Sequence, residues 1–102
     1  STPETGFDCS GYVCWVYNQA GYNVGRTTAN GLWQKSQHIS EAEAKPGDLV
    51  FFKGTYDTPG MSHVGIYLGN GKMVSAGDPI KYADIHSSYW QQYLAGFGRL
   101  SK

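Results

Sequence analysis

Cys9, Tyr12, Val13, Val16 and Ala20 recur at the i, i+3, i+4, i+7 and i+11 spacing of one helical face, so a helix with its stripe beginning at the cysteine is predicted. Asp8 is placed to cap its first turn, and Gly21 to close it in a left-handed C′ position. A second, shorter helix is predicted from Thr28 to Gln34, again behind a hydroxyl cap. Beyond it the period changes. "KPGDLVFF" reads as a turn leading into a strand from Leu49 to Phe52. "SHVGIYLG" alternates, with Val64, Ile66 and Leu68 on one face and His63, Gly65 and Tyr67 on the other. Gly69-Asn70-Gly71 is a hairpin signal, because Asn and Gly tolerate positive φ, and Lys72 to Ala76 returns as the partner strand. A strand around Ile80 to Tyr82, a short helix near Ser88 to Leu94 and a strand from Gly96 to Leu100 complete the pattern. Helices first and an antiparallel meander afterwards make the fold class α+β.

Composition narrows the function. The 102 residues suit one domain spanning 1–102, with no internal repeat or linker. Eight Lys+Arg balance eight Asp+Glu, which argues against nucleic acid or an anionic membrane as partner. No apolar run approaches the roughly 20 residues of a bilayer span. The opening "STPETG" reads like part of a longer protein, so the lack of a signal peptide says nothing of localisation. Eight Tyr, three Trp and 14 Gly suit a turn-rich fold with ring-lined, concave surfaces.

The two cysteines separate on geometry. Residues i and i+5 of one helix lie about 8 to 9 Å apart and point about 140° apart, too far for the disulfide limit of about 7 Å between Cα atoms. No zinc-type spacing is present, so no metal is expected. Cys14 is expected to be a small core residue. Cys9 opens a helix, where the macrodipole favours thiolate, the nucleophilic form. Such a nucleophile needs a base. His38 lies in the polar stretch "QKSQHIS" and His86 beside a predicted helix cap, whereas His63 begins an alternating strand and would reach a helix N-terminus packed across its face. Spacing alone leaves a Cys9–His63 pair open. Arg26 is a candidate for a substrate carboxylate, Asp48 for tying down a turn, and the three tryptophans for core or cleft floor.

"GFDCSGYVCWVY", "KPGDLVFF" and "SHVGIYLGNGKMV", in this order, resemble the NlpC family of bacterial cell-wall cysteine peptidases. The resemblance implies a papain-like α+β fold, its antiparallel sheet packed against an N-terminal helix that carries the cysteine. It implies cleavage of peptidoglycan stem peptides between D-γ-glutamate and the diamino acid, lysine or diaminopimelate, without metal or cofactor. It also implies a monomer that works in the bacterial cell wall, as the C-terminal peptidase part of a longer secreted protein like the two-domain wall hydrolases of conjugative elements. Carried over, Cys9 is the nucleophile and His63 the general base, while Asp8 and Ser10 match substrate-contacting positions.

Two departures stand out. In relatives a Tyr-x-x-Gly-Gly-like segment lies about a dozen residues before the cysteine, a position that would fall ahead of Ser1. The third polar residue, twelve positions after the base, is usually His, Asn or Gln, and in this chain it is Ser75. Hairpin register offers a rival. A two-residue Asn70-Gly71 loop sets Asp78 opposite His63, whereas a three-residue loop sets Ser75 opposite Gly65, on the face of the histidine. Ser75 is preferred, as a weak orienter. The serine leaves room for a catalytically weak wall-binding module, and the same dyad would also serve an N-acetylmuramoyl-L-alanine amidase.

Overall fold

The structure, a computed structural model, describes residues 9–55, 57, 59–75 and 81–101, without the side chains of Cys9 and Lys81. Ten elements follow in chain order: α1 (Cys9–Gln19), α2 (Ala29–Lys35), β1 (Gln37–Ile39), a 3-10 turn (Glu41–Glu43), β2 (Leu49–Lys53), β3 (Met61–Gly69), β4 (Lys72–Ser75), β5 (Lys81–Asp84), α3 (Ser88–Gln91) and β6 (Leu94–Arg99). The strands form one six-stranded antiparallel sheet in the order β1-β6-β2-β3-β4-β5. This is the expected α+β class.

α1 ends as its sequence dictates. Gly21 takes φ 93°, and the Gly21 and Tyr22 amides donate to the Asn18 and Tyr17 carbonyls. These two bonds satisfy otherwise unpaired carbonyls, and the Tyr17 and Tyr22 rings meet edge-on at 4.7 Å across the cap. α2 starts behind Thr28, whose side chain accepts from the Gly31 amide at 3.0 Å. The proposed Asp8 cap lies outside the described residues.

The buried face of α1 is rotated from the predicted stripe. Ser10, Val13, Cys14 and Tyr17 are buried, Tyr12 and Val16 are half-buried, and Ala20 is exposed. The i, i+3, i+4, i+7 period is right, but its phase differs by one residue, because polar Ser10 packs inward and leaves Tyr12 and Val16 on the flank.

The sheet has two apolar faces. Val13, Cys14, Tyr17, Ala29 and Leu32 pack with Phe51, Val64, Ile66 and Val74 on one face. Val50, Phe52, Tyr67, Met73, Ile85 and Phe97 form the second cluster, edged by Trp90 and Tyr93 of the α3 region. Burial on both faces explains the near-continuous apolar run "LVFF" in β2. Pro46 and Gly47 make the turn before it: the Asp48 amide donates to the Lys45 carbonyl at 3.0 Å, and Gly47 takes φ 97° as the third residue of a type II turn.

The hairpin between β3 and β4 reconciles both register readings. Gly69 pairs with Lys72 across Asn70-Gly71, both at positive φ, so the loop holds two residues as its chemistry suggests. A bulge at Leu68 then shifts the register, and Tyr67 pairs with Met73 and Ile66 with Val74. The shift turns Leu68 outward, 38% exposed, rather than inward with Val64 and Ile66 as predicted. It also carries Ser75 to Gly65: a Cβ built on Gly65 would lie 3.5 Å from the Ser75 Cβ and 3.2 Å from the Val74 carbonyl. Asp78 lies outside the described residues.

Strand β1 and the 3-10 turn after it are not foreseen from sequence. "QHI" is too polar and short to alternate, and it pairs as an edge strand with β6. Predicted helix Ser88 to Leu94 ends at Gln91, where β6 begins early at Leu94.

Candidate active site

His63 is the third residue of β3 and sits opposite Phe52 of β2. Its ring stacks on Trp90 at 5.1 Å between centroids with 26° between planes, and meets Phe52 at 5.8 Å and 50°. Phe52 and Trp90 also touch, at 4.7 Å, closing an aromatic corner around the imidazole. Nε2 is buried and has no hydrogen-bond partner among the described residues. This burial lowers the His63 pKa from 6.5 to about 4, because the charged form loses its hydration. The ring is therefore neutral near neutral pH, able to accept a proton at an unpaired nitrogen.

Ser75 ends β4, buried, on the same sheet face as His63. No hydrogen bond joins Ser75 to His63, so the hydroxyl does not touch the imidazole directly. α1 packs across the other face of the sheet, against Val64 and Ile66. The expected arrangement, a helix N-terminus lying across the histidine's own face, needs correcting: the strand is buried on both sides, the helix takes the face of Phe51, Val64 and Ile66, and the imidazole shares the other with Phe52 and Trp90. Cys9 is the first residue of α1, and its side chain and Asp8 lie outside those described.

Two substrate candidates do come together. Arg26 Nη1 donates to the Thr27 carbonyl at 2.7 Å and to Ser10 Oγ at 3.4 Å, tying the loop before α2 to the first turn of α1. Cys14 is buried with its thiol toward the Thr27 carbonyl at 3.8 Å, as expected for a core residue.

The other histidines are occupied elsewhere. His38 stacks on Trp33 and its Nε2 lies 2.9 Å from the Trp33 carbonyl. His86 Nε2 lies 2.6 Å from Glu41 Oε2 at the surface. Asp48 ties down its turn as expected: it accepts from the Lys45 amide at 2.8 Å and from Arg99 at 2.7 and 3.0 Å. Trp15 is exposed on α1, Trp33 packs on the first cluster, and Trp90 meets a candidate catalytic residue, His63. Sequence reasoning assigns Trp90 no specific partner, since nothing in "SSYWQQY" indicates what its ring touches.

Residues 1–99 match the NlpC/P60 family. The chain belongs to this family. It is 50% identical over 101 residues to the bifunctional muramidase/DL-endopeptidase CwlT of Bacillus subtilis, covering 98% of this chain and 30% of that protein. It is 52% identical over 97 residues to the probable endopeptidase p60 of Listeria monocytogenes, covering 94% of this chain and 19% of that one. A crystal structure of an NlpC/P60 family protein similar to lipoprotein, from Staphylococcus aureus, superposes with a TM-score of 0.93 at 44% identity, over 99% of this chain and 34% of that chain. The NlpC resemblance of the three motifs is thereby confirmed, and with it the papain-like α+β fold. The chain spans less than a third of the length of the first two relatives. Among the described residues no helix is long and apolar enough to cross a membrane.

Proposed function

We propose that this chain is a peptidoglycan hydrolase, a cysteine endopeptidase that cuts stem peptides between D-γ-glutamate and the following lysine or diaminopimelate. The observation that carries this reading is the buried His63 Nε2 without a partner among the described residues. A polar atom left unpaired in an aromatic corner is costly in a purely structural role, and such perturbed groups concentrate at functional sites. The names of the relatives, a DL-endopeptidase and a probable endopeptidase, supply the substrate class.

In this reading Cys9 opens α1, where the positive end of the helix dipole favours a thiolate and the Cys9 amide serves as an oxyanion donor. Burial disfavours a resting imidazolium, so neutral His63 takes the thiol proton as Cys9 attacks the γ-glutamyl carbonyl. It returns that proton to the leaving amine, and water then hydrolyses the thioester. Ser75 steadies the ring through a bridging water, Asp8 and Ser10 contact the substrate, and Arg26 takes a substrate carboxylate. The chain acts as one monomeric peptidase domain of a longer secreted protein, in the bacterial cell wall.

The missing Ser75–His63 contact favours a second reading, a wall-binding module with weak or no turnover. Digestion of defined muropeptides, followed by mass spectrometry, separates the possibilities. We expect a freed glutamate γ-carboxyl with the native chain and none with Cys9→Ala or His63→Ala. Cleavage at the lactyl–alanine bond instead would make it an amidase. Intact muropeptide with all three proteins would make it a binding module, and full turnover by Cys9→Ala would end the covalent mechanism.

A further inference from the structure

Trp90 is the one large side chain of α3 that leaves its own helix to cover a residue of β3. Its near-parallel stack on His63, 5.1 Å and 26°, differs from its edge-on contact with Tyr89 at 85°. Phe52 backs both rings from the neighbouring strand. Two ring planes thus flank one imidazole, and the contact ties it to the segment just before β6. We propose that Trp90 is a positioning residue of the hydrolase: its indole face sets the plane of the His63 ring and keeps water from it.

The physical case has two parts. An imidazole on a strand turns about its χ2 torsion through a broad minimum, so something must hold it, and no hydrogen bond at Nε2 from the described residues does so. The indole face does. Second, no charged side chain among the described residues contributes to the His63 pKa, which burial lowers. Among the described residues, the rings that face it are Phe52 from β2 and Trp90 from α3, and removing the larger of them admits water. Water stabilises imidazolium, so the base becomes easier to protonate once the indole is gone.

This inference rests on His63 as the proposed base, and the test separates the two. The His63 ring is titrated by NMR in a Cys9→Ala background, where no thiol couples to it. With Trp90 intact the ring is expected to titrate near the low value set by burial. Trp90→Ala should raise its pKa by at least about one unit toward 6.5, and Trp90→Phe should restore most of the lowering. In the native background the acid limb of kcat/KM on a muropeptide should move up in parallel, a one-unit shift costing about twofold at about pH 5, with KM little changed. A ring titration unmoved by Trp90→Ala in a folded protein, checked by its amide spectrum, would overturn the proposal. If Trp90→Ala fails to fold, Trp90→Gln, which keeps a long side chain but sets a polar group beside the ring, replaces it, and an unmoved titration there has the same force. Loss of the His63 dyad reading, by contrast, would show as full activity of His63→Ala whatever the ring titration does.

Discussion

A serine hydroxyl reaches barely beyond Cβ, so the placement of Ser75 beside Gly65, two residues along β3 from His63, sets how much it can do. A neutral hydroxyl also stabilises an imidazolium less than a carboxylate does. Ser75→Ala is therefore expected to lower kcat/KM on a muropeptide by about 3- to 30-fold, far short of the roughly 10⁴ lost when a buried carboxylate orienter is changed. Ser75→Asn or Ser75→His, which reach farther, should hold or raise activity, with Asp78→Asn nearly silent. A severe Asp78→Asn loss beside a silent Ser75→Ala would transfer the role to the aspartate. The family spacing puts Ser75 on the face of the histidine, whereas the two-residue turn alone would set Asp78 opposite it; the bulge at Leu68 brings Ser75 to Gly65. The sequence did not show the direct contact to be missing, since that depends on how far the strands lie apart at one point.

At the scale of elements, the β3–β4 hairpin carries the site through a residue with no side chain. A methyl on Gly65 would come within 2.7 Å of the Met73 sulfur and 3.2 Å of the Val74 carbonyl. The sulfur belongs to a flexible side chain, but the carbonyl belongs to the ladder and yields only if β4 moves. Gly65→Ala is expected to cost about 1–3 kcal/mol in urea unfolding and to lower turnover by displacing Ser75. A variant as stable and active as the parent would show that β4 adapts freely. Elements with strong local signals were legible: the Gly21 cap, the Thr28 cap, the type II turn at Pro46-Gly47 and the Asn70-Gly71 loop each follow from residues within one turn. What escaped depends on partners distant in the chain. The phase of α1 depends on Ser10 meeting Arg26, β1 exists because β6 offers it an edge, and the bulge at Leu68 is invisible to a strictly alternating pattern.

For the molecule as a whole, acid should act in two stages. The His63 pKa is about 4 in the folded chain against about 6.5 unfolded. Between these values the unfolded chain binds a proton that the folded chain refuses, so stability falls as pH drops from about 6.5 to about 4 and this contribution then levels off. Asp48 acts lower. Burial alone would raise its pKa, but hydrogen bonds from Arg99 and the Lys45 amide outweigh that and lower it, so its contribution is present above the unfolded value near 3.8 and is lost as pH falls further. Urea midpoints measured across pH should show both steps. His63→Phe should remove the upper step. Asp48→Asn should remove the lower one and cost about 1–3 kcal/mol near neutral pH, toward the low end because Arg99 is partly exposed. A single smooth decline that neither variant alters would contradict the assignment.

Strand order adds a consequence for biosynthesis. β6, the last of the ten elements to leave the ribosome, lies between β1 and β2 rather than at a margin, with Gln37 pairing Arg99 and Leu49 pairing Gly98. Until those final residues emerge, β2 presents an unpaired apolar edge and β1 has no neighbour at all. The nascent chain must wait, exposed, for closure across some fifty to sixty positions, and contacts that distant place folding of such sheets toward the millisecond-to-second range. A ribosome stalled a few codons before Leu94 would therefore hold a chain with β2 to β5 and the candidate catalytic positions already made, but with the apolar edge of β2 still open.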